Sequence, residues 1–174
     1  MKKIILAAVA VFALGSANAQ DVKFGVKGGL DLVSTKFPST TVDYGDGDVE
    51  TFGGGSVSST GFYLGGFAEF GLSDKIIFQP GLNYHTASKD GFSFDYLSIP
   101  VLFKYNVADK INIIAGPSMY YSMDADDSDK TRFNLDLGAS YDITENLFVD
   151  PRYSLGLTGD AKVSHFLIGV GYKF

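Results

Sequence analysis

The chain contains no cysteine, which excludes disulfides and a lipid-modified cysteine that would anchor it to a membrane. Beyond residue 15 no segment approaches 18 consecutive apolar residues, which excludes a transmembrane helix there. Basic residues are few: 14 against 20 acidic residues give a net charge of −6, the wrong sign for nucleic-acid binding. Sustained helical periodicity is missing as well. What remains is an all-β chain that binds no nucleic acid.

The first 19 residues have the features of a secretory signal peptide. Two lysines precede an apolar run over residues 4–15, and Ala17-Asn18-Ala19 supplies the small residues of a cleavage site. The run is too short to span a bilayer as a lasting anchor. We therefore predict cleavage before Gln20, export, and one mature domain over residues 20–174. Its 12 basic and 20 acidic residues give a net charge of −8.

Almost all of the mature chain alternates between apolar residues and polar residues or glycine, which is the pattern of β-strands. In the first strand Phe24, Val26 and Leu30 fall on one face, whereas Lys27 and Asp31 fall on the other. Eight such segments follow one another, each of roughly the 9–11 residues that a tilted strand needs to cross a bilayer. The sequence predicts an eight-stranded, antiparallel, transmembrane up-and-down β-barrel.

The apolar face distinguishes a membrane barrel from a soluble lipocalin-like barrel or a β-sandwich. It is mostly bulky on every strand, and the interior of an eight-stranded barrel is too narrow to enclose so much volume. The opposite face mixes small residues with charged and amide residues, which suits a polar lumen. Bulky residues must therefore face lipid, with aromatic girdles at both strand ends. We expect these girdles to contain Phe24, Phe70, Phe78, Tyr105, Tyr141, Tyr172 and Phe174 at one end and Phe62, Tyr84, Tyr121, Phe133 and Phe166 at the other.

Three short connections share one pattern and predict tight turns. Residues 72–76, 107–111 and 143–147 each read apolar, small, acidic, Lys or Asn, apolar, and recur about every 35 residues. Residues 35–60 form a long predicted loop with Gly53-Gly54-Gly55 at its tip. Short turns at one end and longer loops at the other are typical of outer-membrane barrels. The remaining predicted loops are residues 88–93, 124–130 and 158–162.

Several motifs resemble those of a known family. The segments GFYLGGFAEF (61–70), FQPGLNY (78–84), YLSIPVLFKY (96–105) and AGP (115–117) are similar to the PorT-like, or porin-family, small outer-membrane β-barrel proteins of Bacteroidetes. The final residues up to Phe174 resemble the signal that the barrel-insertion machinery reads. The resemblance covers nearly all of the mature chain and implies an outer-membrane β-barrel of a Gram-negative bacterium. It implies neither an activity nor solute conduction.

Four prolines fall inside predicted strands: Pro80, Pro100, Pro117 and Pro151. Each removes one donor from the hydrogen-bond ladder, and a closed barrel has no free edge at which to place it. We therefore expect β-bulges at these positions.

Candidate catalytic or metal-binding residues are few. His85 and His165 lie near the loop ends of strands three and eight on the inward face, where Asp95 or Asp160 would have to complete a site. Without a fixed ligand spacing, the two histidines are better interpreted as polar mouth residues bonded to water. The acidic segment 124–129 lacks the glycine and glutamate of an EF-hand loop, which favours a solvated loop. We predict no enzyme activity, no metal and no cofactor.

The inward-facing charges are the most structured polar set, comprising Lys27, Glu69, Lys104, Asp136, Asp150 and Arg152, with Lys173 as a seventh candidate. Buried charges persist only when paired, so a salt-bridged lumen is predicted, with Glu69 between Lys104 and Arg152. The predicted function is structural or surface-interacting, with membrane lipid, the insertion machinery and an extracellular or envelope protein as partners. The alternative is a narrow pore or a subunit of an export apparatus.

Overall fold

The computed structural model describes residues 22–45, 49–89, 92–123 and 130–174. These residues form eight strands in a closed ring, in which each strand pairs antiparallel with the next and the last pairs with the first. None of them forms a helix that could cross a membrane. The predicted barrel is confirmed, and the predicted leader lies outside the described residues. The strands are β1 (Val22–Asp43), β2 (Val49–Gly71), β3 (Ile76–Lys89), β4 (Phe92–Ala108), β5 (Ile111–Ser122), β6 (Thr131–Asp142), β7 (Leu147–Gly156) and β8 (Lys162–Lys173).

Burial along the strands has the predicted period of two. In β5, for example, Asn112, Ile114 and Ser118 are buried, whereas Ile111 and Ile113 are exposed. Because successive side chains of a strand point to opposite faces, the register of one residue fixes the orientation of its neighbours. The exposed face is largely apolar and the buried face contains charged and amide side chains. This distribution is the reverse of that in a soluble barrel.

The aromatic residues expected in the two girdles lie mostly exposed on the outer face, as predicted. Phe70 departs from this expectation because it is only 2% exposed. Its ring centre lies 6.0 Å from that of Phe78, and Ala68 on the same strand is buried too. Neighbouring side chains therefore cover the outer surface of β2 near its end.

The three repeated connections are tight turns, as predicted. In two of them a hydroxyl oxygen, that of Ser73 or Thr144, accepts hydrogen bonds from the backbone N–H groups of the residues two and three positions later. Such a side chain holds its own turn in place. The third connection has Ala108 at this position and no hydroxyl. There Lys110 adopts a positive φ of 67°, and the pairing of β4 with β5 shifts between Asn106 and Ala108.

Most of the predicted long first loop is strand. The ladder between β1 and β2 continues out to the pair Asp43↔Val49, so these strands are 22 and 23 residues long. Gly53-Gly54-Gly55 therefore lies within β2 and not at the tip, and all three glycines have positive φ. Likewise, β3 and β4 pair out to Lys89↔Phe92, inside the second predicted loop. The prediction was wrong because ladder bonds use backbone groups, which Ser, Thr and Gly supply as well as any residue.

The expected β-bulges at the in-strand prolines are also wrong. The ladder between β2 and β3 omits Pro80 and resumes in the same register, while Pro80 still pairs with Val101 of β4. Pro100, Pro117 and Pro151 likewise drop out of the ladder with the preceding strand and keep their partner on the following strand. A proline lacks a single N–H group, so it interrupts only one of its two ladders.

Candidate functional site

The polar side chains inside the barrel form three clusters. The lower cluster, nearest the short turns, consists of Glu69, Gln79 and Lys104. Lys104 Nζ donates to Glu69 Oε1 at 2.7 Å, and Gln79 Nε2 donates to the same oxygen at 2.9 Å. Lys104 Nζ also lies 4.8 Å from the centre of the Phe148 ring, within the range of a cation–π contact. The buried ammonium group thus has both a carboxylate and an aromatic partner.

The central cluster consists of Lys27, Asp136, Asp150 and Arg152, whose exposed fractions are at most 2%. Asp150 lies between two cations, with its Oδ2 atom 3.4 Å from both Lys27 Nζ and Arg152 Nε. Arg152 Nη1 donates to Asp136 Oδ2 at 3.3 Å, and the hydroxyls of Ser118 and Ser154 donate to Asp136 Oδ1. Two cations face two carboxylates, so the cluster is neutral overall.

Glycines on the inward face provide the space for these large side chains. A Cβ atom at Gly169 would overlap both Tyr63 Oη and Asp150 Oδ1, two atoms joined by a hydrogen bond of 3.3 Å. A Cβ atom at Gly171 would overlap the ring of Phe148. The glycine-rich inward face of β8 is therefore a requirement of the packing in the central and lower lumen.

The upper cluster is built around Asp31. Its carboxylate oxygens lie 2.9 Å from His85 Nδ1 and 3.1 Å from His165 Nδ1, and the Tyr96 hydroxyl donates to it. A carboxylate only accepts hydrogen bonds, so both imidazoles donate through Nδ1. Two stacked ring pairs complete the cluster, with centres 4.7 Å apart for His85 and Tyr96 and 4.4 Å apart for His165 and Tyr120.

The interpretation of the histidines as water-bonded mouth residues was wrong. Both are buried, and their carboxylate partner is Asp31, not Asp95 or Asp160. Asp31 is separated from them by 54 and 134 positions, so only closure of the ring brings the three together. No group of three or more His, Cys, Asp or Glu side chains suited to a metal ion occurs in the described part of the chain. The acidic segment 124–129 lies outside it.

Ser98 extends the upper cluster toward a hydrolase-like arrangement. Its Oγ atom lies 2.8 Å from His85 Nε2, so Ser98, His85 and Asp31 have the order of a nucleophile, a base and an orienting carboxylate. Ser98 is only 2% exposed, and Asn83 Nδ2 donates to its hydroxyl at 3.0 Å. Neither large cavity of the barrel includes Ser98 or His85 in its wall. The trio has the hydrogen bonds of a catalytic site without space for a substrate.

A cavity lies at each end of the barrel, and the three clusters separate them. The cavity at the short-turn end has a volume of about 640 Å³ and a wall that carries charges of both signs. It includes Lys173, whose Nζ lies 2.8 Å from Asp142 Oδ1. The cavity at the other end has a volume of about 370 Å³ and lies above the upper cluster, with Tyr96, Tyr120 and His165 in its wall.

The six charged residues proposed for the lumen all lie inside the barrel, in two groups. Glu69 contacts Lys104 and Gln79, and the carboxylate that lies between two cations is Asp150. The expected position of Glu69 between Lys104 and Arg152 was therefore wrong. Alternation identifies the face of a side chain but not its height relative to a strand that is several positions around the ring.

Glu69→Ala is expected to destabilise the folded barrel by about 3–5 kcal/mol, because it leaves the buried Lys104 ammonium without its carboxylate. Glu50→Ala, at an exposed position of β2, is the matched control and should have almost no effect. The double variant Glu69→Ala/Lys104→Ala should cost less than the sum of the single changes. Urea-dependent unfolding in lipid vesicles measures these three variants and the single variant Lys104→Ala. Strict additivity, or stronger coupling of Glu69 to Arg152, would contradict the pairing.

Solved barrels of similar architecture are known. Ail, the attachment invasion locus protein of Yersinia pestis, superimposes with a TM-score of 0.56 at 14% identity, over 89% of this chain and 100% of Ail. Ail in complex with the heparin analogue sucrose octasulfate gives 0.57 at the same identity and coverage. Neisserial surface protein A gives 0.52 at 17% identity, over 89% and 100% of the two chains. At such identities the likeness shows the fold alone.

The sequence itself identifies the family. A search of curated proteins finds no match to the sequence of this chain. The family model described as "Outer membrane protein beta-barrel domain", however, matches residues 4–174, which is nearly the whole chain. Together with the closed ring of eight antiparallel strands and the apolar outer face, this match shows that the chain is an outer-membrane protein and belongs to the outer membrane protein β-barrel domain family.

Proposed function

We propose that this outer-membrane barrel is closed to solutes, has no catalytic activity, and binds another protein through its first hairpin. The packed lumen supports the first part. Lys27, Asp150 and Arg152 are almost completely buried and neutralise one another, so a solute would have to break ion pairs to pass. Eight strands leave little interior volume beyond what side chains occupy.

The length of the first hairpin supports the binding role, and it is the observation that carries the proposal. β1 pairs with β8 as far as Lys36↔Lys162, and β2 pairs with β3 as far as Thr60↔Ser88. Beyond these pairs and within the described ranges, residues 37–43 pair only with β2, and residues 49–59 pair only with β1. We call these two segments the ribbon. Along both of its outer edges, the backbone N–H and C=O groups form no ladder hydrogen bonds with another described strand.

Such an edge is suited to strand addition, in which an extended segment of a partner pairs with it through main-chain hydrogen bonds. The ribbon also exposes the apolar side chains of Val49 and Phe52, with Tyr44 exposed just beyond β1. A two-stranded hairpin is only marginally stable in water, so a third strand would stabilise it. We therefore propose an extended protein segment as the ribbon's partner.

We also propose a narrower family, a cleaved leader and an orientation in the membrane for this chain. The motifs at residues 61–70 and 96–105 support a place in the PorT-like group of Bacteroidetes. Ala17-Asn18-Ala19 supports removal of a leader before Gln20, and Phe174 supports recognition by the barrel-insertion machinery. An even number of strands returns the chain to its starting side. We place both chain ends and the three short turns in the periplasm, and the ribbon outside the cell.

The purified barrel should show no stable single-channel steps in planar lipid bilayers, because the clusters close the lumen between its two cavities. The same preparation should be folded, as judged by its faster migration when unheated on a denaturing gel. Recurrent steps of uniform size from this folded protein would favour the alternative, a narrow pore.

A serine-reactive fluorophosphonate should leave Ser98 unmodified in the folded barrel, because this hydroxyl is buried and already bonded to His85 and Asn83. Mass spectrometry of the labelled protein, with Ser98→Ala as the control, provides the measurement. Labelling that disappears in Ser98→Ala and in His85→Ala would show an accessible, activated nucleophile. That outcome would overturn the non-catalytic assignment.

A photoreactive benzoylphenylalanine at position 52 of the ribbon should crosslink to a protein partner on intact cells, and the adduct should map to an extended segment. The same residue at position 133, on the lipid-facing side of β6, is the matched control and should give no protein adduct. Both replace an exposed phenylalanine, so neither should disturb folding.

Strand addition predicts that the adduct depends on the backbone of the ribbon. Ser56→Ala keeps the backbone N–H group and should preserve the adduct. Ser56→Pro and Val57→Pro each remove one N–H group, and because neighbouring N–H groups point to opposite edges, one of the two removes a donor from the open edge. An adduct that survives both proline variants would exclude pairing through the ribbon edge.

A further inference from the structure

The inward face of the barrel changes character above the upper cluster. Along β1 the inward residues run from Lys27 to Asp31 and then continue as Val33, Thr35 and Phe37. At the same height β2, β3, β4 and β8 contribute apolar residues as well, and Val57, Ala87, Phe94 and Val163 line the upper cavity. We call this cavity the cup. A vestibule that merely held water would need no apolar wall, so this change of lining requires another explanation.

The lower part of the cup is preformed. Val33, Ala87, Tyr96 and Tyr120 are buried in one cluster, and Val163 packs against them. Higher up, Phe37, Val57 and Phe94 are between 41% and 50% exposed and leave apolar surface open to solvent. The volume of about 370 Å³ falls within the roughly 300–1,000 Å³ of typical small-molecule sites. Concave, mostly apolar surfaces with a few polar groups are where proteins bind such ligands.

The wall of the cup carries a positive charge. Arg132 lines it, and no carboxylate does so among the described residues, although the mature chain is acidic overall. Arg132 is held at the wall because its Nη1 atom donates to the carbonyl oxygen of Ala161. Asp31, the carboxylate beneath the floor, already accepts hydrogen bonds from Tyr96 and both histidines. The cup is therefore complementary to an anion.

We propose that the cup binds a small amphipathic anion, an aromatic or short aliphatic carboxylate. The apolar body of the ligand lies against Val33, Val57, Phe94 and Val163, and its carboxylate binds the Arg132 guanidinium. Arginine is suited to this role because its planar N–H groups match both oxygens of a carboxylate. The site is separate from the outer edges of the ribbon, so ligand binding in the cup does not depend on the proposed protein partner.

The absence of tryptophan from the chain provides a direct assay. Phe94→Trp places the chain's single tryptophan in the wall of the cup, where it can be excited selectively, and Phe62→Trp, on the lipid-facing surface, is the matched control. Each protein, folded in phosphatidylcholine vesicles, is titrated with 2-naphthoate, with neutral 2-naphthalenemethanol and with cationic 2-naphthylmethylammonium. The cup reporter should respond saturably, with 2-naphthoate binding most tightly and the cation least. The control reporter should show only a linear response from partition into lipid.

Charge variants in the Phe94→Trp background test the role assigned to Arg132. Arg132→Gln should weaken 2-naphthoate binding about tenfold or more, through loss of a charged hydrogen bond, and leave 2-naphthalenemethanol unchanged. Arg132→Lys keeps the charge and should retain part of the affinity. The migration of the unheated protein on a denaturing gel confirms that each variant is folded. Equal responses from both reporters, no preference for the anion, or no effect of Arg132→Gln would each overturn the proposal.

Discussion

The interior of an eight-stranded barrel is only about as wide as the side chains that fill it, and the structure depends on how this space is used. The lumen holds the long side chains of Lys27, Lys104 and Arg152, which are among the largest fully buried side chains in the barrel. They fit because glycines stand on the facing wall, as at Gly169 and Gly171, where a single methyl group would overlap Asp150, Tyr63 or Phe148. Large side chains in the lumen thus depend on the glycines that face them from other strands.

Filling the lumen with charged side chains creates an electrostatic requirement. Lipid surrounds the barrel and little water reaches its centre, so each charge must be neutralised locally. Asp150 is shared by Lys27 and Arg152, and Arg152 in turn contacts Asp136. Arg152 Nη1 donates to Asp136, but Nε and Nη2 have no hydrogen bond, so the contact of this guanidinium with Asp150 is an ion pair without a hydrogen bond. Because Asp150 and Arg152 each neutralise two other members, the cluster behaves as a unit, and alanine changes within it are not additive.

The sequence predicted the strand number, the inward and outward faces and the turn chemistry, because a period of two and a serine or threonine in a turn are local properties. It could not predict which inward residues meet. Lys27 pairs along its ladders with Gly65 and Gly171, whereas its ionic partner Asp150 lies on β7, one strand further around the ring. The meeting of Asp31 with His85 and His165 likewise requires the closed ring. The ribbon was missed because its strands lack the apolar alternation that a buried or lipid-facing surface imposes.

The two ends of the lumen differ in a way that bears on transport. A path for polar solutes would need a continuous polar lining, whereas below Asp31 the charged side chains are packed among the buried side chains of Phe67, Leu102 and Phe148. Above Asp31 the stacked rings of His85 with Tyr96 and of His165 with Tyr120 cross the lumen, and the wall beyond them is largely apolar. An anion that entered the cup would meet these rings and, beneath them, a carboxylate whose oxygens are already occupied. The cup is therefore a dead end, a geometry that favours retention of a ligand over its passage.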